Sequence, residues 1–259
     1  MNIAIRVDAS VQTGTGHFMR CLTLANSLKK EGGISIKFIS AKILPHLKKT
    51  LVHFGYELSE LEQDDSEVNE PKLEHSHWLG MSQESDAFQS IQALGQETWE
   101  WMIVDHYSID CQWENILKEK VKYIMVIDDL ADRNHHCDIL LDQNFYLNME
   151  KRYFDKVPAH CKLLLGPQNA LLRDEFWLLR TKAKIRSAPI KKILIFFGGI
   201  DAENYTNRVL QLISEIDTNF CVDVVIGGGH AYSREIEVAC ALHNYNFNIQ
   251  IENMAGLMM

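Results

Sequence analysis

His17 follows Gly14-Thr15-Gly16 and opens a stretch of helical periodicity. An imidazole there is suited to proton transfer, because a helix N-terminus favours the neutral ring, the form that accepts a proton. The two glycines, Gly14 and Gly16, let a backbone come close to a ligand, and the free N–H groups of a first helical turn favour negative charge. A plain tight turn carrying an exposed histidine fits the same residues. Met19 stands where a dinucleotide-binding fingerprint needs its third glycine.

A second set of reactive side chains recurs at the ends of short β-branched runs: Arg6 and Asp8, Asp105-His106-Tyr107, Asp128-Asp129, and Asp142 with Asn144. In open α/β sheets ligands bind outside the carboxyl ends of the strands, which makes these residues candidate ligand contacts. Arg6 lies inside a run expected to be buried, where a charge needs a partner. A buried Arg6–Asp8 or Arg6–Asp105 pair, with simple caps at the other strand ends, is the architectural alternative. Gly198-Gly199 and Gly227-Gly228-Gly229 also follow strands and could bring backbone N–H groups to a diphosphate, or serve as ordinary turns. His135-His136-Cys137-Asp138 does not read as a metal site, since adjacent loop residues rarely aim at one ion and no third ligand stands at a helpful spacing. No metal and no cofactor are expected. His75 and His77 read as surface residues beside an acidic stretch.

The elements that must hold these groups are visible as alternating patterns. Ile3–Val7, Ile34–Ile39, Trp101–Val104, Tyr123–Ile127, Ile139–Leu141 and Leu163–Leu165 read as strands. Helical patterns fall at 17–30, 45–54, 85–94, 113–120 and 169–180, and 57–74 reads as a solvated acidic linker. Strands separated by helices imply βαβ units and a parallel sheet. A basic joint (Lys182, Lys184, Arg186, Pro189, Lys191, Lys192) precedes a new start, with strands at Ile193–Phe197, Val222–Ile226 and Asn248–Ile251 and a helix over 204–216. The expected organisation is therefore two doubly wound α/β domains, 1–188 and 189–259, the second either unusually small or incomplete.

The 259 residues carry 46% hydrophobic and 24% charged side chains, which excludes a disordered or collagen-like chain. A net charge of -9 argues against a nucleic-acid or anionic-membrane partner, because phosphate polymers reward a basic footprint. The six cysteines form no CxxC pair and read as reduced thiols. No apolar run approaches the roughly 20 residues of a membrane span, and the N-terminus has no signal-peptide core. A soluble cytoplasmic protein is expected.

Residues 6–25, from Arg6-Val-Asp-Ala-Ser through Gly14-Thr-Gly-His-Phe-Met-Arg to Ala25, resemble the UDP-sugar hydrolases of pseudaminic acid biosynthesis. These are relatives of spore-coat polysaccharide proteins within the glycosyltransferase-B superfamily. Ile103-Val-Asp-His-Tyr, Ile127-Asp-Asp-Leu-Ala, His136-Cys-Asp-Ile-Leu-Leu-Asp-Gln-Asn, Gly166-Pro-Gln-Asn-Ala-Leu-Leu-Arg-Asp-Glu-Phe and Phe197-Gly-Gly-Ile-Asp continue the likeness in family order.

The resemblance implies two Rossmann-like domains with a site in the cleft between them, and UDP-2,4-diacetamido-2,4,6-trideoxy-β-L-altropyranose as a small-molecule substrate. It implies metal-free hydrolysis to UDP and the free sugar, with His17 as the base and Arg173 on the substrate. Substrate is expected near Arg6, Asp8, Gly14, Gly16, Asp105, His106, Tyr107, Asp128 and Asn144. The nucleotide is expected on Gly198, Gly199, Asp201, Asn204, Gly227, Gly228 and Asn253. The family continues past Asn253-Met-Ala-Gly-Leu-Met into a further strand and a glycine/serine-rich loop, which is why the second domain is expected to be incomplete. A glycosyltransferase or a UDP-sugar 2-epimerase of the same architecture is the enzymatic alternative, and a non-catalytic sugar-nucleotide-binding module the other.

Overall fold

The computed structural model describes residues 1–63, 73–183, 185, 189–216, 220–251 and 253–259. Residues 64–72 of the acidic stretch, and Lys184 and Arg186 of the basic joint, lie outside the described residues. Contacts group Met1–Thr13 with His17–Leu171, and Gly14–Gly16 with Leu172–Met259. This division falls upstream of the joint at 188/189.

The first unit runs β1 (Asn2–Val7), α1 (Gly16–Lys30), β2 (Ser35–Ser40), α2 (Pro45–Phe54), β3 (Glu57–Glu60), α3 (Gln83–Leu94), β4 (Trp99–Asp105), α4 (Cys111–Leu117), β5 (Val121–Ile127), β6 (Ile139–Asp142), α5 (Met149–Arg152) and β7 (Lys162–Leu165). Its strands form one parallel seven-stranded sheet in the order β3-β2-β1-β4-β5-β6-β7. The acidic run expected to be a linker from residue 57 instead contributes the edge strand β3, which among the described residues pairs with β2 alone. Its Glu-Leu-Ser-Glu sequence suits an edge, where charge discourages further pairing.

Alternation along β1 sorts its side chains between the two faces. Ile3, Ile5 and Val7 pack with Phe18, Cys21, Leu22 and Ala25 of α1 and with Leu47 and Leu51 of α2. Ala4 faces the other way, towards Ala87 and Leu94 of α3 and Trp113 and Leu117 of α4. Arg6 shares that second face, and Asp8 continues its parity. Local signals fix the helix ends. Ser82 accepts the Ser85 N–H and Asp110 the Gln112 N–H, while Gly55 closes α2 at φ 69°. The chain leaves β1 towards β2 and leaves β4 towards β5, so strand order reverses between β1 and β4. Connections diverge at such a point and leave room for a ligand.

The second unit contains α6 (Asp174–Arg180), β8 (Lys192–Ile195), α7 (Tyr205–Ser214), β9 (Cys221–Ile226), α8 (Ser233–His243), β10 (Asn246–Ile249) and α9 (Met254–Met258). Its parallel sheet has the order β10-β9-β8. Ile195, Val222, Val224 and Ile226 pack against Leu210 of α7 and Ile236 and Cys240 of α8. Among the described residues no helix is long and apolar enough to cross a membrane.

Candidate active site

The first turn of α1 and the end of β4 meet at the point where strand order reverses. His17 Nδ1 lies 2.6 Å from Asp105 Oδ1, with the His17 side chain 12% exposed and the Asp105 side chain fully buried. One turn further along α1, Arg20 closes on the same carboxylate, Nε to Oδ2 at 2.6 Å and Nη2 to Oδ1 at 2.7 Å. The buried Cys21 thiol donates to Oδ2 at 3.6 Å. Every group facing Asp105 is thus a donor. Burial opposes its ionisation, but the neighbouring His17 ring and Arg20 guanidinium outweigh that and hold its carboxyl well below the usual carboxylate range.

This geometry sets the tautomer of His17. A carboxylate only accepts, so the proton sits on Nδ1 and the neutral ring carries its lone pair on Nε2. Arg20 Nη2 is also 3.1 Å from Nδ1, but both are donors there and share Oδ1 as acceptor. Arg20 Nη1 reaches Asp129 Oδ2 at 3.0 Å, and the Tyr107 hydroxyl donates to Asp129 Oδ1 at 2.5 Å. The Tyr107 ring meets His17 edge to face, with centroids 4.5 Å apart. Burial and the bond to Asp129 push the Tyr107 phenol up, so it stays a donor. The arrangement is a proton acceptor whose orientation is set by a carboxylate, itself locked by a guanidinium. Such a group can activate water.

Other expected site residues of the first unit make contacts of their own. Arg6 is fully buried and paired with Asp8 and with Asp86 of α3, each at 2.5 Å. Asp86 also accepts the Trp113 indole N–H. Of the two pairs foreseen for Arg6, the structure forms the one with Asp8, while Asp105 serves His17 and Arg20. Asp8 accepts from Ser40, Ala41 and Lys42. His106 is buried, and its Nδ1 takes the Ser108 N–H. Its Nε2 stands 3.2 Å from Asp8 Oδ2 without completing a hydrogen bond. Burial lowers the His106 imidazole, which keeps the ring neutral with its proton on Nε2.

Asp128 is buried as well. It accepts from the N–H groups of Leu130 and Ala131 and pairs with Arg133 at 2.9 Å. Tyr153 bridges Asp128 and Asp142. His135 lies in the same layer, 2.7 Å from Glu114 of α4. Burial disfavours its charged form, yet Glu114 and Asp128 prevail and push it up to about 9. Asn144 is exposed, its N–H bonded to Asp142.

Arg20, Asp86 and Glu114 were not singled out from the sequence, because each sits within a helix read only for its apolar face. The spacing of Arg20 one turn after His17 is the signal that could have found it. His75, expected on the surface, is partly buried. It stacks on Trp78 at 4.5 Å, and Trp78 stacks on Tyr107 at 5.7 Å, which forms an aromatic ledge continuous with His17.

In the second unit, Gly198 has φ 80°, a conformation side chains rarely adopt. A Cβ on Gly227 would stand 1.8 Å from the Gly199 carbonyl oxygen, so the loops after β8 and β9 touch backbone to backbone. Asp201 accepts the N–H groups of Tyr205 and Thr206 and thereby caps α7. That carboxylate occupies the donors a phosphate would otherwise use. Asn204 precedes α7 in a left-handed conformation, and Asn253 caps α9 through the Gly256 N–H. Gly228 is exposed, and Arg173 pairs with Glu175 at 2.6 Å.

No protein-family model matches the chain. It is 29% identical, over 259 residues, to the UDP-2,4-diacetamido-2,4,6-trideoxy-beta-L-altropyranose hydrolase of Campylobacter jejuni, a match that covers 100% of this chain and 81% of that protein. This is the hydrolase group whose motifs the sequence resembles. Among solved structures, MurG of Acinetobacter baumannii superposes with a TM-score of 0.54 at 13% identity, covering 99% of this chain and 69% of that one. The Anabaena protein HepE, solved in complex with UDP and glucose, superposes with a TM-score of 0.53 at 9% identity, covering 100% and 71%. These likenesses bear on the fold alone. The chain has the α/β architecture of the glycosyltransferase-B group, with one seven-stranded parallel sheet and a second parallel sheet.

Proposed function

We propose that this chain hydrolyses a UDP-linked diacetamido-trideoxy sugar of the pseudaminic acid pathway at its anomeric C–O bond. The observation that carries the reading is the His17–Asp105 pair at 2.6 Å, clamped by Arg20. The Campylobacter relative supports the substrate class, since its name is that of a UDP-sugar hydrolase.

In this reading His17 Nε2 takes a proton from water as the water oxygen bonds to the anomeric carbon. The C–O bond to the diphosphate breaks, and UDP leaves with the electron pair. Asp105 steadies the imidazolium that forms, and Arg20 keeps Asp105 ionised and fixed. UDP is a good leaving group, so the reaction needs a base more than a strong acid. Attack from the face opposite UDP inverts the anomeric centre. Among the remaining expected residues, Arg173 is proposed for the sugar. The glycines at 198–199 and 227–228, with Asn253, are proposed for the nucleotide. No metal is required in this scheme.

The test is turnover of the UDP-sugar by the chain alone in ¹⁸O-water with excess chelator, followed by NMR and mass spectrometry. Release of UDP and free sugar, with the heavy oxygen on the sugar, is the expected result. Heavy oxygen on the UDP would place cleavage at P–O and overturn the scheme. A requirement for an added sugar acceptor would point to a transferase, and loss of turnover with chelator would overturn the metal-free step.

A further inference from the structure

Two of the six cysteines lie together, away from the residues assigned to hydrolysis. Cys137 precedes β6 and Cys161 immediately precedes β7. These neighbouring strands begin in register at Ile139 and Lys162, and the two Sγ atoms stand 3.6 Å apart. Cys137 is fully buried, whereas Cys161 is partly exposed. The pair therefore has one residue at the edge of solvent and one held behind it.

We propose that Cys137 and Cys161 form a reversible disulfide when a hydroperoxide meets the chain. The Cys161 thiolate attacks one peroxide oxygen, the O–O bond breaks, and hydroxide or an alkoxide leaves, which makes Cys161 a sulfenic acid. The Cys137 sulfur then gives up its proton and attacks the Cys161 sulfur. The S–O bond breaks, water leaves, and the two sulfurs have together lost two electrons to the peroxide. The hydrogen bond to Cys137 holds the Cys161 thiol below its ordinary range, which favours it as the first nucleophile. The sulfurs must close to about 2.05 Å, a short approach for side chains at two strand entrances. The new bond would close residues 138–160 into a ring. That segment carries Tyr153, which bridges Asp128 and Asp142, and Arg152, whose guanidinium reaches the Asp129 carbonyl at 2.7 Å.

The experiment treats the folded chain with hydrogen peroxide, quenches it, and maps thiols by alkylation and non-reducing peptide mass spectrometry. The expected result is a cross-linked peptide joining Cys137 to Cys161, lighter by two hydrogens and returned to free thiols by dithiothreitol. Cys161→Ser should abolish this product, and Cys221→Ser, at an exposed position, should leave it unchanged. Because the wild-type map alone decides the matter, the inference survives a poorly folding variant. Oxidation confined to Cys111 or Cys221 while Cys137 and Cys161 stay alkylatable would overturn it. So would Cys161 advancing to sulfinic acid with Cys137 still free.

Discussion

Asp105→Asn is the sharpest perturbation of the proposed chemistry. The wild-type carboxylate receives His17 Nδ1 and Arg20 Nη2 on one oxygen, and Arg20 Nε and the Cys21 thiol on the other. An amide offers one acceptor and one donor, so its NH₂ must face donors whichever way it turns. Turned towards Arg20 Nε, it loses that bond. Turned towards His17, it drives the ring to accept at Nδ1 and moves the proton to Nε2, the atom needed as base. The rate should fall by about 10²–10⁴-fold, the range for a positioned general base. Stability should fall by about 3 kcal/mol, the lower end for a broken buried ion pair, because Arg20 keeps Asp129 at 3.0 Å. His17→Ala separates the two effects: it leaves the Arg20–Asp105 pair intact, so it should show the rate loss with little change in stability. NMR of released sugar and urea denaturation of each variant measure both quantities. Near-normal turnover by His17→Ala, or by a folded Asp105→Asn, would refute the assignment.

The buried His135–Glu114 pair predicts a pH dependence of stability. The folded imidazole is raised to about 9 from an ordinary value near 6.5, so its contribution is complete below pH ~6.5 and fades as pH rises through about 9. Urea midpoints measured from pH 6 to 10 should fall across that window, and His135→Asn should flatten the fall. Gly227→Ala forces a Cβ to within 1.8 Å of the Gly199 carbonyl oxygen. It should destabilise the chain by about 1–3 kcal/mol through overpacking and weaken UDP binding measured by calorimetry, whereas unchanged affinity would remove these loops from the nucleotide site.

Much of the first unit was legible because its strands are β-branched runs and its helices carry one apolar face. β2, β4 and β5 fall within a few residues of their expected places, and α2 at its expected limits. β3 escaped because an edge strand with two glutamates has no buried run to betray it, and α5, at four residues, is too short to show a period. His17 and Asp105 were each visible as residue types at element boundaries. Their pairing was not, since it joins positions 88 apart in the chain. Asp8 was visible as a partner for Arg6, but the second acid on Arg6, Asp86, and the nearest acid to His135, Glu114, sit on α3 and α4, which read only as helical patterns. Long-range charge matching leaves no local period, whereas apolar alternation does.

The clamp on the first helix also bears on how the chain acquires its shape during synthesis. Arg20 belongs to the first crossover, but both carboxylates it binds come from positions 105 and 129. Arg6 likewise waits for Asp86 to complete its coordination. A nascent chain that has emerged only through β2 holds two guanidinium groups that it has no economical way to dehydrate. The amino-terminal third should therefore stay loosely collapsed at the ribosome exit and consolidate only when β4 and β5 arrive, in one late cooperative step.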